Sequence, residues 1–508
     1  MNHYTIGVDI GGTNTDAVLM NRDQHIIAKV KTATTEPISY GFSKAIRSLL
    51  EKGNLPKTQI QSVLLGTTQA TNAILQHRDL FRVGIIRIAG HHPDSLPSGS
   101  QWPQGLKSSV IAGTETIDGG FQCNGRPITP FNPQQARAAI DRLIYQGAES
   151  FAVVGVFSPL NSSQEQQVAE MIDHLPVSLS SEIGGVGFIE RENSTILNAA
   201  LKKVMAKGFK ELQQVCESLS LTCPLLITQN DGSLITMERA IDYPILTISA
   251  GPTNSFRGAA RLAGVDQAVI IDIGGTSSDA GLIINSFPRC SLSTSTIGGV
   301  RLNFPMPDVL SIGLGGGSCV TSCGSAYTIG PQSVAKDLWK EAQAFGGKQL
   351  TLTDAALVLG NLAIPDANPA AIQITNKQAK VILDQALGQI ERLTTLMRGE
   401  NTKLPVVVVG GGATLFESHK SSLPEYYDVA NAYGAALAEV SGTIDTVVSL
   451  TNRAQVLEKL QQEACEHAIR QGAEERSLRL VDQQIIPFHY VPNHMARVII
   501  RASGKRQL

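Results

Sequence analysis

Two stretches of this chain repeat one chemical pattern. Residues 6–16 read Ile-Gly-Val-Asp-Ile-Gly-Gly-Thr-Asn-Thr-Asp, and residues 270–279 read Ile-Ile-Asp-Ile-Gly-Gly-Thr-Ser-Ser-Asp. In each, an apolar run delivers a carboxylate, Asp9 or Asp272. Paired glycines (Gly11 and Gly12, Gly274 and Gly275) then let backbone N–H groups approach an anion with no Cβ in the way. Polar side chains follow as further donors: Thr13, Asn14 and Thr15 in one copy, Thr276, Ser277 and Ser278 in the other. A second carboxylate, Asp16 or Asp279, closes each pattern. A carboxylate at a strand end can hold Mg²⁺ or a water on it. One copy alone is no stronger than a turn, because turns favour Asp, Gly and Thr in any case. Two copies, each flanked by apolar strands, predict a duplicated fold that closes two phosphate-gripping loops on a single nucleotide.

Further glycine clusters fit that reading. Gly410-Gly411-Gly412 follows four valines, and glycines at the carboxyl end of a central strand let an adenine or ribose lie against backbone. Gly315-Gly316-Gly317-Ser318 is either an anion nest or the hinge of a flexible loop, with Asp308 upstream as a metal or base candidate. Gly66-Thr67-Thr68 offers hydroxyls and N–H groups after another strand. Cys319 with Cys323 and His489 with His494 lack the companions a zinc site needs, and His91-His92 reads as a solvated loop. No Gly-x-Ser-x-Gly elbow and no Gly-x-x-x-x-Gly-Lys-Ser/Thr loop occurs, so serine-hydrolase and P-loop readings have no support.

The elements that must position these residues alternate between strand and helix. Residues 4–31 read as a β-hairpin pair, the first strand carrying the opening motif and 17–20 its return. Further strands are expected at 63–65, 83–86, 151–157, 177–181 and 224–228, at the second motif, and at 281–284 and 405–409, with helices at 37–52, 69–76, 133–146, 163–174, 193–219, 254–263, 353–361, 376–399, 424–440 and 451–471. Residues 91–130, rich in Pro, Gly and Ser, read as an irregular insertion, and the tail after 475 as three short strands. This is an α/β pattern. A chain of 508 residues is too long for one core. The expected division is an N-terminal domain (1–185) with the first loop, a second domain (186–450) with the second loop and the glycine clusters, and a C-terminal helix with strands (451–508). With 42% hydrophobic residues, 17% charged residues and a net charge of -2, the composition is globular and carries no electrostatic invitation to nucleic acid or anionic membrane. The opening lacks signal-peptide character, no apolar run spans a bilayer, and seven scattered cysteines fit a reducing compartment, so the expected location is cytoplasmic.

Taken in order, these motifs resemble the actin-like ATPase and sugar-kinase superfamily, with duplicated ribonuclease H-like domains around a nucleotide cleft. The resemblance is closer to the hydantoinase/oxoprolinase family, specifically its ATP-binding A-type subunit. It is carried by Val8–Leu19, Gly66–Ala73, Ser194–Ala199, Gln229–Ser233, Ser249–Pro252, Asp272–Asp279 and Gly313–Ser318. The resemblance implies ATP and Mg²⁺ as cofactors, Asp9 and Asp272 as catalytic and metal-holding residues, and a small cyclic amide or carbonyl substrate phosphorylated before ring opening. It implies, too, a B-type hydrolytic subunit or a homo-oligomer as partner. A small-molecule kinase and a non-catalytic nucleotide switch regulating a partner enzyme are the alternatives. The chain departs from the family pattern at Asn14, where an aromatic is usual, and at Ser233, where a glycine is usual. It departs again at 335–339, where Ala-Lys-Asp-Leu-Trp replaces a Pro-Gly-rich segment, and it is shorter than full A-type subunits.

Overall fold

The computed structural model describes residues 3–507 apart from 91–95, 124, 186, 292–294, 305, 324–325, 417, 419–421 and 489–493, so His91, His92 and His489 lie outside the described residues, as does the Cys323 side chain. The chain opens with an antiparallel meander of β1 (Tyr4–Ile10), β2 (Asn14–Asn21) and β3 (Ile26–Ala33). Helix α1 (Ile38–Gly53) buries Phe42, Ala45, Ile46 and Leu49, the three-to-four spacing of one helical face. Asn54, in the left-handed region, ends it by donating its N–H to Leu50 O. Strand β4 (Ile60–Thr67) returns parallel to β1 and feeds α2 (Gln69–Gln76).

A second, all-parallel sheet follows, built from β5 (Val83–Ile88), α3 (Gln104–Val110), β6 (Ile111–Ile117), α4 (Pro133–Tyr145), β7 (Ser150–Gly155), α5 (Ser163–Glu170) and β8 (Val177–Leu179), in the order β6-β5-β7-β8. Residues 104–117 are thus regular, a correction to the expected irregular insertion. Strand β6 is an edge strand whose Thr and Glu side chains stay partly exposed, so it lacks the apolar run that marks its neighbours. The 31-residue α6 (Phe188–Ser218) packs Ile196, Leu197, Leu201, Met205 and Phe209 into the first core. It leads to β9 (Leu225–Thr228), β10 (Ser233–Thr236), α7 (Met237–Asp242) and α8 (Ala250–Ala263).

The second half repeats the first. Strand β11 (Ala268–Ile273) pairs antiparallel with β12 (Ser278–Ile284), which also meets β13 (Phe287–Pro288). After the hairpin of β14 (Ser295–Ile297) and β15 (Val300–Leu302), β16 (Val309–Ile312) pairs antiparallel with β12. The hairpin of β17 (Ser318–Cys323) and β18 (Ala326–Ser333) precedes α9 (Leu338–Glu341), α10 (Leu352–Val358) and α11 (Asn376–Arg398). Strand β19 (Val406–Val409) then lies parallel to β11, as β4 does to β1. Helix α11 buries Ile382, Leu383, Ala386 and Ile390 on one face of this sheet, while Phe256 of α8 packs on the other.

Helix α12 (Ala430–Ala436) is shorter than the 424–440 expected, because strand β20 (Glu439–Ser449) begins at once. Helix α13 (Arg453–Arg470) and two long strands, β21 (Arg479–Pro487) and β22 (Met495–Gly504), complete the chain in place of three short strands. These C-terminal strands extend the first sheet to nine, in the order β21-β22-β20-β10-β9-β4-β1-β2-β3. The two halves meet where α8 crosses α12. A Cβ on Gly258 would overlap the Ala430 carbonyl, and one on Gly434 would overlap the Asn254 carbonyl, so only glycine permits this approach. Among the described residues no helix is long and apolar enough to cross a membrane.

Candidate active site

The strand register places the two carboxylates of each loop directly opposite one another, Asp9 facing Asp16 and Asp272 facing Asp279. The third strand of each meander adds one more residue to the row: Lys31 opposite Asp16, Ser311 opposite Asp279. A glycine lies at the end of the fourth, parallel strand in both halves, Gly66 as the penultimate residue of β4 and Gly410 just after the last residue of β19. A Cβ on Gly66 would overlap Asp9 Oδ1, and one on Gly410 would overlap Asp272 Oδ1, so Gly66-Thr67-Thr68 and Gly410-Gly411-Gly412 are structural counterparts. Each turn is closed the same way, Gly11 N–H donating to Asn14 O at 3.0 Å and Gly274 N–H to Ser277 O at 2.9 Å. Among the described residues the N–H groups of Gly12, Thr13, Gly275 and Thr276 find no partner, which leaves two donors per loop for an anion.

The loops face each other: a Cβ on Gly275 would lie 3.2 Å from the Thr13 side chain. Between them opens a cavity of about 560 Å³. Gly11, Gly12, Thr13, Asn14 and Asp16 line it from the first loop, with Asp272, Gly274, Gly275 and Thr276 from the second. Gly316, Gly317 and Gly410–Gly412 line it too, and Leu338, Trp339, Leu362 and Ile364 form an apolar wall. One cavity thus offers anion donors and an apolar surface, the two chemistries a nucleotide needs.

Asp9 does not line the cavity; it is 3% exposed, with Asn431 donating to its Oδ2 at 3.0 Å and to Asp16 Oδ2 at 2.9 Å. Burial, then the neighbouring Asp16, push Asp9 up to about 7, and its Oδ1 has no hydrogen-bond partner. Lys31 Nζ holds Asp16 at 2.8 Å and also donates to the Asp428 carbonyl at 3.0 Å, which ties the first sheet to the chain leading into α12. Burial disfavours the Lys31 charge, but Asp16 outweighs it and the ammonium is held above its ordinary range. Burial likewise raises Asp272, and Ser255 faces it without making a hydrogen bond of good geometry. Asp279 is pushed up to about 6 by burial, with the Ser311 hydroxyl pulling the other way.

Not every candidate reaches the cavity. Thr15 shares a hydrogen bond with Thr34 at 3.2 Å, and Ser278 donates to Leu314 O at 2.6 Å, so both hydroxyls brace the loops. Ser277 and Asp279 do not line the cavity. The expected anion nest at Gly315–Gly317 is committed elsewhere: Gly316 and Gly317 donate to the carbonyls of Gly274 and Gly275, at 3.0 and 2.7 Å, and Gly315 to Ser318 Oγ at 2.8 Å. That loop buttresses the second phosphate loop. Asp308 pairs with Arg289 outside the cavity. Lys31, Asn431, Ser255 and Trp339 carry no motif in the sequence. Lys31 is reachable only through the β2–β3 register, and Asn431 lies 415 residues from the Asp16 it contacts.

Residues 5–175 match the family model described as hydantoinase/oxoprolinase N-terminal region, and residues 191–369 match that described as hydantoinase/oxoprolinase. The chain belongs to the hydantoinase/oxoprolinase family. Among curated relatives of this family member is the acetophenone carboxylase gamma subunit of Aromatoleum aromaticum, 27% identical across 70% of this chain and 53% of that protein. Another is the caprolactamase subunit alpha of Pseudomonas jessenii, 26% identical across 74% of this chain and 57% of that protein. The chain therefore spans about half the length of these relatives. The crystal structure of ATP-dependent caprolactamase from Pseudomonas jessenii superposes with a TM-score of 0.74 at 20% identity, covering 98% of this chain and 87% of that one. The fold is the duplicated actin-like α/β architecture, as the order of motifs implied.

Proposed function

We propose that this protein binds ATP with Mg²⁺ in the cleft between its two loops and uses it to activate a cyclic amide for ring opening. The observation that carries the reading is the facing pair of hairpins, each with an Asp–Asp row and two unpartnered N–H groups, around one cavity. The caprolactamase relationship supports a lactam as substrate. No group of three or more His, Cys, Asp or Glu is placed to hold a metal alone among the described residues. This suits Mg²⁺, which takes one or two carboxylates and completes its shell with water and phosphate oxygens. Asp272, on the cavity wall, and Asp9, with its unpartnered Oδ1, would hold the ion or its waters. The ion supplies neutralising charge for phosphoryl transfer.

The chain's own part is alignment and charge. The amide oxygen forms a bond to the γ-phosphorus as the bond to the ADP oxygen breaks. Loop N–H groups hold the phosphates in line. Water then adds to the activated carbon, and the C–N bond opens as nitrogen takes a proton and leaves an acyl phosphate. A second water adds to that carbon as phosphate departs with the original amide oxygen, giving the ring-opened acid. Asp9, pushed up to about 7 by burial and by Asp16, would accept a proton from an attacking water that reaches its unpartnered Oδ1. That both curated relatives are named as subunits supports a partner for this chain, a B-type hydrolytic subunit or a second copy. Free thiols at all six cysteines whose side chains are described fit work in the reducing cytoplasm.

The deciding experiment measures ADP release with and without hydantoin, 5-oxoproline and caprolactam, and identifies the product by mass spectrometry. Amide-dependent ADP release with a ring-opened acid is expected. A stable phosphorylated product would select a kinase, and turnover indifferent to every amide would select a nucleotide switch.

A further inference from the structure

A second cavity, of about 480 Å³, shares no lining residue with the nucleotide cleft. One face of the C-terminal strands forms its floor, with Thr443 and Asp445 of β20, Gln484 of β21, and Arg497 and Arg501 of β22 recurring at alternate positions. The opposite face carries Val498, Ile500 and Ala502 under α13, as an ordinary core does. The cover comes from Gly184, Gly185 and Gly187, from Asn303 and Phe304, and from Gln229-Asn230-Asp231. That last turn is the family motif the nucleotide cleft leaves unused.

A covered sheet face costs less when it is apolar, yet this one is charged. Arg501 is 6% exposed and holds Asp231, donating from Nη1 to the Asp231 carbonyl at 3.0 Å, but its Nε has no hydrogen-bond partner. Ser181 Oγ and His467 Nδ1, on other residues lining the cavity, are buried without partners as well. Arg497 is satisfied by a bidentate pair with Asp445 at 2.8 and 2.6 Å. Beyond these pairs the lining adds Glu182, Glu190 and Asp482 against Arg239, and with Arg301 lying 3.7 Å from Glu190 the acids still exceed the bases by one, which disfavours an anion. Ile235, Leu246, Leu302 and Phe304 supply an apolar side. Unmatched donors and acceptors beside an apolar wall, with acids in excess, fit an uncharged ring that presents both C=O and N–H.

We propose that this cavity binds an uncharged cyclic amide or imide at a site separate from the nucleotide cleft, coupled to that cleft through the first turns of α8. The ligand class rests on the cyclic-amide reading above. The coupling rests on a short chain of contacts. Asn230 O accepts from Thr253 Oγ1 at 2.6 Å, and the next residues, Asn254 and Ser255, face Thr228 beside Gly66 and Asp272 respectively.

Isothermal titration of the full chain with hydantoin, 2-pyrrolidone and 5-oxoproline, with and without a saturating non-hydrolysable ATP analogue, tests this. Hydantoin and 2-pyrrolidone bind in both conditions, whereas 5-oxoproline, bringing a carboxylate, binds about 10-fold more weakly. Arg501→Lys keeps the charge opposite Asp231 but loses the Nε donor, and weakens hydantoin about 10-fold while the analogue's affinity holds. Ser181→Ala weakens hydantoin without disturbing any ion pair. Absence of hydantoin and pyrrolidone binding, or competition between either and the analogue, overturns the site. So does a loss in Asp272→Asn that is missing in Arg501→Lys. An analogue affinity unmoved by saturating hydantoin overturns the coupling. Hydantoin binding that persists when the analogue fails to bind supports this site while sinking the nucleotide reading.

Discussion

Lys31 and Ser311 occupy the same place in the two repeats, each directly opposite the second aspartate of its own loop. The halves diverge there in charge: one Asp–Asp row ends in an ammonium, the other in a hydroxyl. Asp16 is therefore paired with a cation, while Asp279 is drawn toward the protonated form. Replacing Lys31 with Met leaves Asp16 buried beside Asp9 with no cation. The expected loss is roughly 3–5 kcal/mol of unfolding free energy, read from urea denaturation. Adding Asp16→Asn to that variant is expected to restore most of the loss. A double variant as unstable as Lys31→Met alone would show that the lysine acts through packing.

Asp9 makes stability depend on pH in a stated direction. Its folded value of about 7 lies above the ordinary carboxylate value, so the folded state binds the proton more tightly than the unfolded chain does. Stability from this group is fully present below about pH 4 and is lost as pH rises through 7. Asp9→Asn should thus raise the apo Tm by several degrees at pH 8 and change it little at pH 4. In the same variant ATP turnover should fall by about 100-fold or more. A Tm difference independent of pH would remove the burial argument.

Gly66 and Gly410 are expected to be as sensitive as the aspartates they touch. Alanine at either position drives a methyl into a carboxylate oxygen, of Asp9 or of Asp272. Gly410 also has a φ of +93°, so its alanine variant pays about 1 kcal/mol of backbone strain. Both variants should lose ATP turnover by about 10- to 100-fold, as displacement of the two proposed catalytic carboxylates requires. Circular dichroism should stay native for Gly66→Ala. Full activity in that variant would place Asp9 outside the reaction.

Trp339 gives the cleft an optical reporter. The chain has two tryptophans. Trp102 is 6% exposed with its Nε1 donating to Asn193, whereas Trp339 is 47% exposed on the apolar wall of the cavity, edge-on to Phe345. Binding of ATP with its base against that wall should quench or blue-shift the emission, and Trp339→Phe should abolish the signal. Trp339→Ala should weaken ATP by about 10-fold, the worth of one aromatic contact. Unchanged emission on saturating ATP would put the base elsewhere.

Much of this site was legible because it is local. Asp9, Asp272 and the paired glycines are encoded within ten-residue stretches, and their strands are continuous apolar runs. What escaped reading depends on distance or on half-exposed faces. Strand β20 alternates Ser, Gly, Thr and Asp with apolar residues and is only partly buried, so no run announces it. Asn431 and Ser255 reach the carboxylates from helices whose placement is set by the α8–α12 crossing. The glycines at 315–317 show the opposite failure. Their composition suggests an anion nest, but the N–H groups of Gly316 and Gly317 are spent on the carbonyls of Gly274 and Gly275, and that of Gly315 on Ser318 Oγ.

The crossing of α8 and α12 has a mechanical consequence. At Gly258 and Gly434 backbone lies directly on backbone, so the spacing of the two helices is set at the shortest distance main chain allows. A bulky residue at either glycine would act as a wedge, driving apart the helices on which Asn431 and Ser255 are carried to the aspartates.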